Sequence, residues 1–281
     1  MTDPVLQRLS ASLSSLEGVR AVALSGSRVT GVQDEASDYD VYVYYRGALP
    51  ATVRREQALR PLCSRVEAGN AFWESEDNCI LNNGVPLDVI YRHIEGFASE
   101  VADVVENCQA RNAYTTCLWH NLLHSSIIFD PQGELAALVA RFKVPYPERL
   151  RVNIVKRACA LLYGYLPNYA SQLNKACERG DLLSIGHRTT AFIETLTDLL
   201  FAFNRITHPG EKRLLSQLTA LCPKLPEGLE DSLKGLLMLP ERPQSAQALL
   251  LRLKSSLYQL LEGESQFSSL LKEQFMPEGS L

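Results

Sequence analysis

The chain has 281 residues, of which 46% are hydrophobic and 21% are charged, and its formal net charge is -4. This length predicts two domains, and the composition is that of a globular protein. A weakly acidic chain is unsuited to broad, salt-dependent binding of DNA or RNA, which requires many lysine and arginine contacts to phosphate. No apolar stretch of the sequence reaches the roughly 18 residues of a membrane-spanning helix.

Cysteine usage and the N-terminal sequence bear on the cellular compartment. The seven cysteines are an odd number and form no Cys-x-x-Cys pair, which is typical of free thiols in a reducing environment. The N-terminal sequence MTDPVLQRLSASL lacks the basic and apolar regions of a secretory signal. These features predict a cytoplasmic protein.

Hydrophobic periodicity predicts alternating helices and strands in the first half of the chain. In chain order we expect a helix over 5–16, strands over 19–24 and 40–45, a surface helix over 52–68, strands over 71–81 and 85–91, helices over 94–108 and 114–124, a strand over 126–129 and a helix ending at 142. Asn82-Asn83-Gly84 joins the two central strands, and an Asn-Gly pair in that position is a strong hairpin signal.

A domain boundary is expected at the sequence FKVPYPE, residues 142–148, because two closely spaced prolines interrupt any helix. Beyond it the strand signals cease, and Leu- and Ala-rich segments repeat with helical spacing. The predicted helices are 149–162, 171–179, 182–204, 214–221 and 245–262. We therefore predict an α/β domain over 1–143, an all-α helical bundle over 146–281, and an active site in the cleft between them.

Asp38 and Asp40 stand two residues apart at the start of a strongly β-forming run, DVYVYY. Residues i and i+2 of a strand share a face, so the two carboxylates lie side by side and repel each other unless a cation binds between them. Mg²⁺ suits this arrangement, since it binds one or two carboxylates and completes its shell with water and phosphate oxygens.

Gly26 and Ser27 end the preceding strand and are followed by Arg28. Glycine permits a sharp backbone turn, and the following N–H groups and the Ser27 hydroxyl can bind phosphate oxygens, with the positive charge of Arg28 beside them. An anion-binding turn next to a pair of metal-binding carboxylates indicates a nucleoside triphosphate. The sequence alone also allows a simple turn beside two strand-end aspartates.

The pattern Gly26-Ser27, ten residues, then Asp38-Tyr39-Asp40, with Asp88 in the later strand VPLDVIY, resembles the nucleotidyltransferase superfamily that includes DNA polymerase β. The two-domain plan is similar to that of antibiotic nucleotidyltransferases, and FAFNRITHPGEKRL, residues 201–214, looks like the helical domain of uncharacterised bacterial members. The resemblance implies a mixed sheet in the first domain.

The resemblance also implies a mechanism. Asp38 and Asp40 would hold two Mg²⁺ ions, with Asp88 as a further ligand and as the first candidate for the general base. An acceptor hydroxyl would attack the α-phosphate, and pyrophosphate would leave. Gly26, Ser27 and Arg28 would bind the nucleotide.

Further polar residues are candidates for the same site. Lys212, in the loop after the long helix, is the favoured cation for the β- and γ-phosphates, and Lys156 and Arg157 are alternatives. Glu74 and Glu76 share a strand face. They are candidates for assisting the general base or binding a cationic acceptor, and the alternative is a solvated acidic surface. Glu194 is either a buried paired charge or a site residue.

Three functions remain open at this stage. The leading hypothesis is Mg²⁺-dependent transfer of a nucleoside monophosphate, with AMP favoured, to a hydroxyl of a small molecule. The second is nucleotidylation of a partner protein, and the third is a nucleotide-binding regulator without catalysis. Polymerisation is disfavoured because the chain lacks a basic stripe with interleaved aromatic residues.

Overall fold

The computed structural model describes residues 3–26 and 38–274. The chain divides into two compact units, Met1–Asp103 with Leu118–Pro145, and Val104–Cys117 with Tyr146–Leu281. The second unit therefore takes in the segment 104–117, which lies inside the range predicted for the first domain. The domain limits 1–143 and 146–281 stay a prediction.

Among the described residues, six strands form one sheet in the order β3-β4-β5-β2-β1-β6. The strands are β1 (Val19–Ser25), β2 (Tyr39–Tyr45), β3 (Cys63–Asn70), β4 (Ser75–Leu81), β5 (Pro86–His93) and β6 (Ser126–Phe129). β2 and β5 pair in parallel and the other neighbours are antiparallel, so the sheet is mixed. The helices of this half are α1 (Pro4–Ser14), α2 (Thr52–Leu59), α3 (Ile94–Val105), α4 (Cys117–His124) and α5 (Glu134–Phe142).

The two faces of the sheet differ in character because successive side chains of a strand point to opposite sides. One face carries the apolar core, where Val41 of β2 and Val89 of β5 pack in the same cluster as Leu13 of α1, and all three are fully buried. Asp40 and Asp88, one residue earlier on the same two strands, therefore lie on the other face. The core thus fixes which side of the sheet presents the carboxylates.

The predicted surface helix over 52–68 is wrong in its second half, because α2 ends at Leu59 and Cys63–Asn70 forms the edge strand β3. The sequence CSRVEAGN has one β-branched residue, so its intrinsic propensity does not indicate a strand. Pairing with β4 decides the conformation instead. The predicted hairpin around Asn82-Asn83-Gly84 is confirmed by the antiparallel pairing of β4 and β5.

A buried ion pair ties α2 to the core face of β4. The Arg55 guanidinium lies 2.9 Å from the Asp77 carboxylate, and the two side chains are 3% and 0% exposed. Burial raises the pKa of Asp77, although the N–H of Gly69 and the charge of Arg55 favour its ionised form. A pair so thoroughly removed from water depends on both partners being present.

The second unit has helices and no strands among its described residues. Its helices are α6 (Glu148–Cys159), continued by a π-helical turn (Ala160–Gly164), α7 (Tyr169–Arg179), α8 (Leu182–Phe203), α9 (Leu214–Leu221), α10 (Leu229–Leu237), α11 (Ala246–Glu262) and α12 (Ser268–Gln274). A Leu- and Phe-rich core joins them. The fold class expected from the sequence, a mixed α/β sheet followed by a helical region, is confirmed. Among the helices described, none has both the length and the apolar character of a membrane span.

One carboxylate lies inside this helical core. Asp198 of α8 is 2% exposed and accepts hydrogen bonds from the backbone N–H and the hydroxyl of Thr115, at 3.0 and 2.7 Å. Burial raises the pKa of Asp198 to about 6, and the Thr115 hydrogen bonds oppose that rise only in part.

Replacing Asp77 with alanine should lower the free energy of unfolding of the first unit by about 3 kcal/mol, because Arg55 is then buried without a counter-charge. Urea unfolding followed by tryptophan fluorescence measures this, since Trp73 and Trp119 both belong to that unit. The double variant Arg55→Met, Asp77→Leu should recover part of the loss. Glu67→Ala, which removes an exposed partner of Arg65, should cost less than about 1 kcal/mol. Equal losses in both single variants would contradict the assignment.

The stability of the second unit should depend on pH because the carboxyl group of Asp198 titrates. Its carboxyl titrates higher in the folded state (about 6) than its ordinary value of 3.8, so the folded state is most favoured where Asp198 is protonated and loses stability as pH rises from about 4 to 6. Between about pH 4 and 6, the free energy of unfolding of wild type should therefore fall by up to about 3 kcal/mol relative to that of Asp198→Asn. Amide hydrogen exchange in α8 at several pH values measures it, and parallel profiles for the two proteins would refute it.

Candidate active site

Three carboxylates meet on the face of the sheet that lies opposite the apolar core and carries Asp40 and Asp88, called the polar face from here on. Asp40 of β2 and Asp88 of β5 are direct partners in the parallel register, and Asp38 immediately precedes β2. Each of the three offers one carboxylate oxygen, and these oxygens all lie within 4.8 Å of one another. All three side chains are half-buried. The structure thus brings together the carboxylates that the sequence singled out.

Gly26 makes the close packing around Asp40 possible. Ser25 pairs with Asp40 across β1 and β2, and the chain then turns at Gly26 with φ +75°. A Cβ atom at this position would lie 2.0 Å from Oδ2 of Asp40. Glycine is therefore required both for the left-handed backbone and for the space that the carboxylate occupies.

Asp88 has a neutral hydrogen-bond donor on the neighbouring strand. Asn78 of β4 is the direct partner of Asp88 in the antiparallel register, and its Nδ2 donates to Oδ1 of Asp88 at 2.8 Å. Asn70, at the end of β3, donates to Oδ1 of Asn78 at 2.7 Å. Sequence reasoning missed both asparagines, although the hairpin turn already places 78 and 88 at equal distances from Asn83.

Glu74 and Glu76 have different surroundings. Glu74 binds the buried Arg92 of β5 through two hydrogen bonds of 2.7 Å, and the guanidinium lies 3.9 Å from the ring centroid of Tyr42. Glu74 is thereby paired with a buried cation. Burial, followed by the charges of Asp88 and Glu74, raises the pKa of Glu76. Only Glu76 of the two contributes uncompensated negative charge to the face that carries Asp88.

The remaining sequence-predicted residues lie elsewhere. Ser27 and Arg28 fall outside the described residues. Lys212 belongs to the second unit, where its side chain is exposed and its backbone carbonyl accepts a hydrogen bond from Gln217 at 3.1 Å. Its predicted role in nucleotide binding stays a prediction.

The loop that carries Lys212 is anchored at His208, which is fully buried. The backbone N–H of His208 donates to the Thr116 hydroxyl at 2.8 Å, and its Nδ1 accepts from the N–H of Gly210 at 3.1 Å. Glu194 lies 3.5 Å from the Tyr114 hydroxyl, and burial together with the charge of Glu194 raises the pKa of Tyr114 to about 12. Contacts of residues 114–116 with His208 and Glu194 thus hold this loop in place within the second unit.

The donor set of the carboxylate cluster fits a hard divalent cation. Carboxylate oxygens are the ligands that Mg²⁺ and Mn²⁺ prefer, and the space left by the missing Cβ of Gly26 lets Asp40 take its place in the cluster. Asp38, Asp40 and Asp88 are the residues that would hold such an ion.

Gly26→Ala should move Asp40 and weaken Mn²⁺ binding by about 10-fold or more while the protein stays folded, because the flexible carboxylate yields to the new Cβ. Electron paramagnetic resonance of Mn²⁺ measures the affinity. Gly47→Ala is the matched control: Gly47 has φ +80°, and a Cβ there meets nothing within 4 Å. Equal Mn²⁺ affinities in the two variants would contradict the role given to Gly26.

Comparison with solved structures finds distant likenesses. A nucleotidyltransferase-like protein from Exiguobacterium sibiricum 255-15 aligns with a TM-score of 0.42 and 14% identity, over 96% of this chain and 85% of that one. The Thermotoga maritima CCA-adding enzyme complexed with tRNA aligns with a TM-score of 0.26 and 13% identity, over 96% and 78%. With TM-scores this low, neither adds to the assignment. Among curated proteins, no sequence match is significant.

Family models cover most of the chain in two consecutive pieces. Residues 113–214 match a domain of unknown function, DUF4037. This range includes Thr116 and His208, which are joined by a hydrogen bond. Residues 6–111 match the nucleotidyltransferase domain, and this range contains Gly26 and all three clustered carboxylates. The chain therefore contains a nucleotidyltransferase domain, which spans residues 6–111.

Proposed function

We propose that the protein is a Mg²⁺-dependent nucleotidyltransferase that moves a nucleoside monophosphate, with AMP favoured, from a nucleoside triphosphate to a hydroxyl group of a small molecule and releases pyrophosphate. The observation that carries this proposal is the clustering of Asp38, Asp40 and Asp88, whose carboxylate oxygens lie within 4.8 Å of one another. Such a cluster is costly without a cation, and it lies within the residues that match a nucleotidyltransferase domain.

Asp38 and Asp40 would bind the metal from the start of β2, and Asp88 would bind it from β5. A divalent cation held by these residues would neutralise the triphosphate and stabilise charge that develops at the α-phosphate. The parallel register of β2 and β5 holds Asp40 and Asp88 side by side. The sheet therefore keeps the carboxylates together before any ligand arrives, which lowers the cost of organising the site.

Asp88 is also proposed to accept the proton of the attacking hydroxyl. The acceptor oxygen forms a bond to the α-phosphorus, and the bond from that phosphorus to pyrophosphate breaks with its electron pair on pyrophosphate. The hydroxyl proton passes to the Asp88 carboxylate, one oxygen of which already accepts a hydrogen bond from Asn78. The position of Asp88 on the strand next to β2 supports this role.

The nucleotide would be bound by Gly26, Ser27 and Arg28, with Lys212 as a further cation. The positive φ of Gly26 supports the first of these assignments, because such a turn exposes successive backbone N–H groups to an anion. The preference for AMP rests on the resemblance to the superfamily. Glu76 adds negative charge on the face that carries Asp88, which suits an acceptor without strong negative charge of its own.

The first test is calorimetric titration of ATP, GTP, CTP and UTP, each with excess Mg²⁺, into wild type and into the double variant Asp38→Asn, Asp40→Asn. We expect Mg²⁺-dependent binding of one nucleotide to wild type, weakened by about 100-fold or more in the variant, because the metal loses two ligands. Glu67→Gln, an exposed carboxylate on the same sheet, is the matched control and should bind as wild type does.

A pyrophosphate-release assay with a panel of hydroxyl-bearing acceptors then tests transfer itself. Asp88→Asn should reduce the turnover rate by about 100-fold or more if Asp88 accepts the proton. Nucleotide binding that persists in the double variant would refute the metal site. Binding without pyrophosphate release across the panel would count against a small-molecule acceptor.

A further inference from the structure

A β-bulge in the edge strand β3 changes which residue faces Asp88's side of the sheet. Glu67 pairs with Asn78 and Ala68 with Asp77, but the register then shifts so that Asn70 pairs with Glu76. In an unbroken register Gly69 would occupy that place, and Asn70 would point to the opposite face. The bulge therefore replaces a glycine with an asparagine on the polar face.

The bulge is fixed from the core side. Gly69 adopts φ +90°, which favours glycine, and its N–H donates to Oδ1 of Asp77 at 2.8 Å. Asp77 is fully buried and is held in turn by Arg55 at 2.9 Å. The ion pair thus satisfies the backbone group that the bulge removes from the strand ladder, and bulges beside active sites commonly re-aim a side chain in this way.

On the polar face the bulge completes a directed chain of hydrogen bonds. An ionised carboxylate only accepts, so Asn78 must present its amide nitrogen to Asp88, and this turns its oxygen towards Asn70. Asn70 donates to that oxygen at 2.7 Å, and Asn78 donates to Oδ1 of Asp88 at 2.8 Å. Each amide therefore fixes the orientation of the next.

We propose that Asn78 and Asn70 are positioning residues that set the orientation of the Asp88 carboxylate, with Asn70 acting only through Asn78. Holding one carboxylate oxygen fixes the rotation of the group and directs the other oxygen towards the metal and the acceptor hydroxyl. This proposal rests on the function proposed above. Groups that orient metal ligands in this way typically change metal affinity or activity by about 10- to 100-fold when removed.

Mn²⁺ affinity, measured by electron paramagnetic resonance, tests the role of Asn78. Asn78→Ala and Asn78→Leu both remove the donor, and the second keeps most of the volume. We expect each to bind Mn²⁺ about 10- to 100-fold more weakly than wild type, with little change in melting temperature. Asn82→Ala is the matched control, because Asn82 is an exposed amide in the same hairpin that donates to the Pro61 carbonyl, and it should bind Mn²⁺ as wild type does.

A double-variant cycle tests whether Asn70 acts through Asn78. Asn70→Ala alone should weaken Mn²⁺ binding by a smaller factor, about 3- to 10-fold, since Asn78 keeps its donor but loses its orientation. Added to Asn78→Ala, the same change should have no further effect. Losses that multiply in the double variant would overturn the chain of action from Asn70 to Asn78.

Wild-type Mn²⁺ affinity in Asn78→Ala would overturn the positioning role, and a lower melting temperature with unchanged affinity would show a purely structural one. If wild type itself binds no Mn²⁺, the proposed metal site fails, and side-chain amide NMR then decides the positioning role separately. The Asn78 Nδ2 protons should shift strongly in Asp88→Ala and hardly at all in Asn82→Ala. Unchanged Asn78 resonances in Asp88→Ala would overturn the contact.

Discussion

Repulsion among three carboxylates is the constraint around which the first unit is built. Hydrogen bonding between β2 and β5 places Asp40 directly beside Asp88, and Asp38 lies within the same 4.8 Å cluster. Backbone ladders hold this arrangement regardless of the side-chain charges. Like charges held this close repel one another, and a cation bound among the three carboxylates would offset that repulsion.

Residues on both faces of the sheet hold that cluster in place. On the core face, Val41 and Val89 flank the aspartates in sequence and bury the strands, while the Arg55–Asp77 pair fixes the edge of the sheet. On the polar face, two neutral groups lie next to the carboxylates: Gly26, which has no side chain, and the amide of Asn78. Core packing thus determines where the aspartates lie. The neutral groups beside them orient the carboxylates without neutralising their charge.

How far the sequence predicts the site depends on how local each interaction is. The Asn82-Asn83-Gly84 turn sets the register of β4 against β5, so the pairing of Asn78 with Asp88 follows from counting along the chain, although it was missed. The parallel register that joins Asp40 to Asp88 is set by packing between distant segments. The resemblance to a known family predicted that Asp88 would join Asp38 and Asp40, but not this register. The bulge at Gly69 depends on a buried ion pair with α2, and no local pattern in CSRVEAGN reveals it.

The buried arginines of the first unit pair with carboxylates outside the aspartate cluster. Among the residues that the structure describes there, the buried arginines are Arg55 and Arg92, and they are held by Asp77 and Glu74 respectively. Both therefore neutralise carboxylates outside the cluster. A guanidinium inserted among the aspartates would stabilise the empty site but would compete with a metal and a triphosphate. In the part of the first unit that the structure describes, the buried arginines thus pair with carboxylates other than Asp38, Asp40 and Asp88, and a negatively charged site attracts a divalent cation through its electrostatic field.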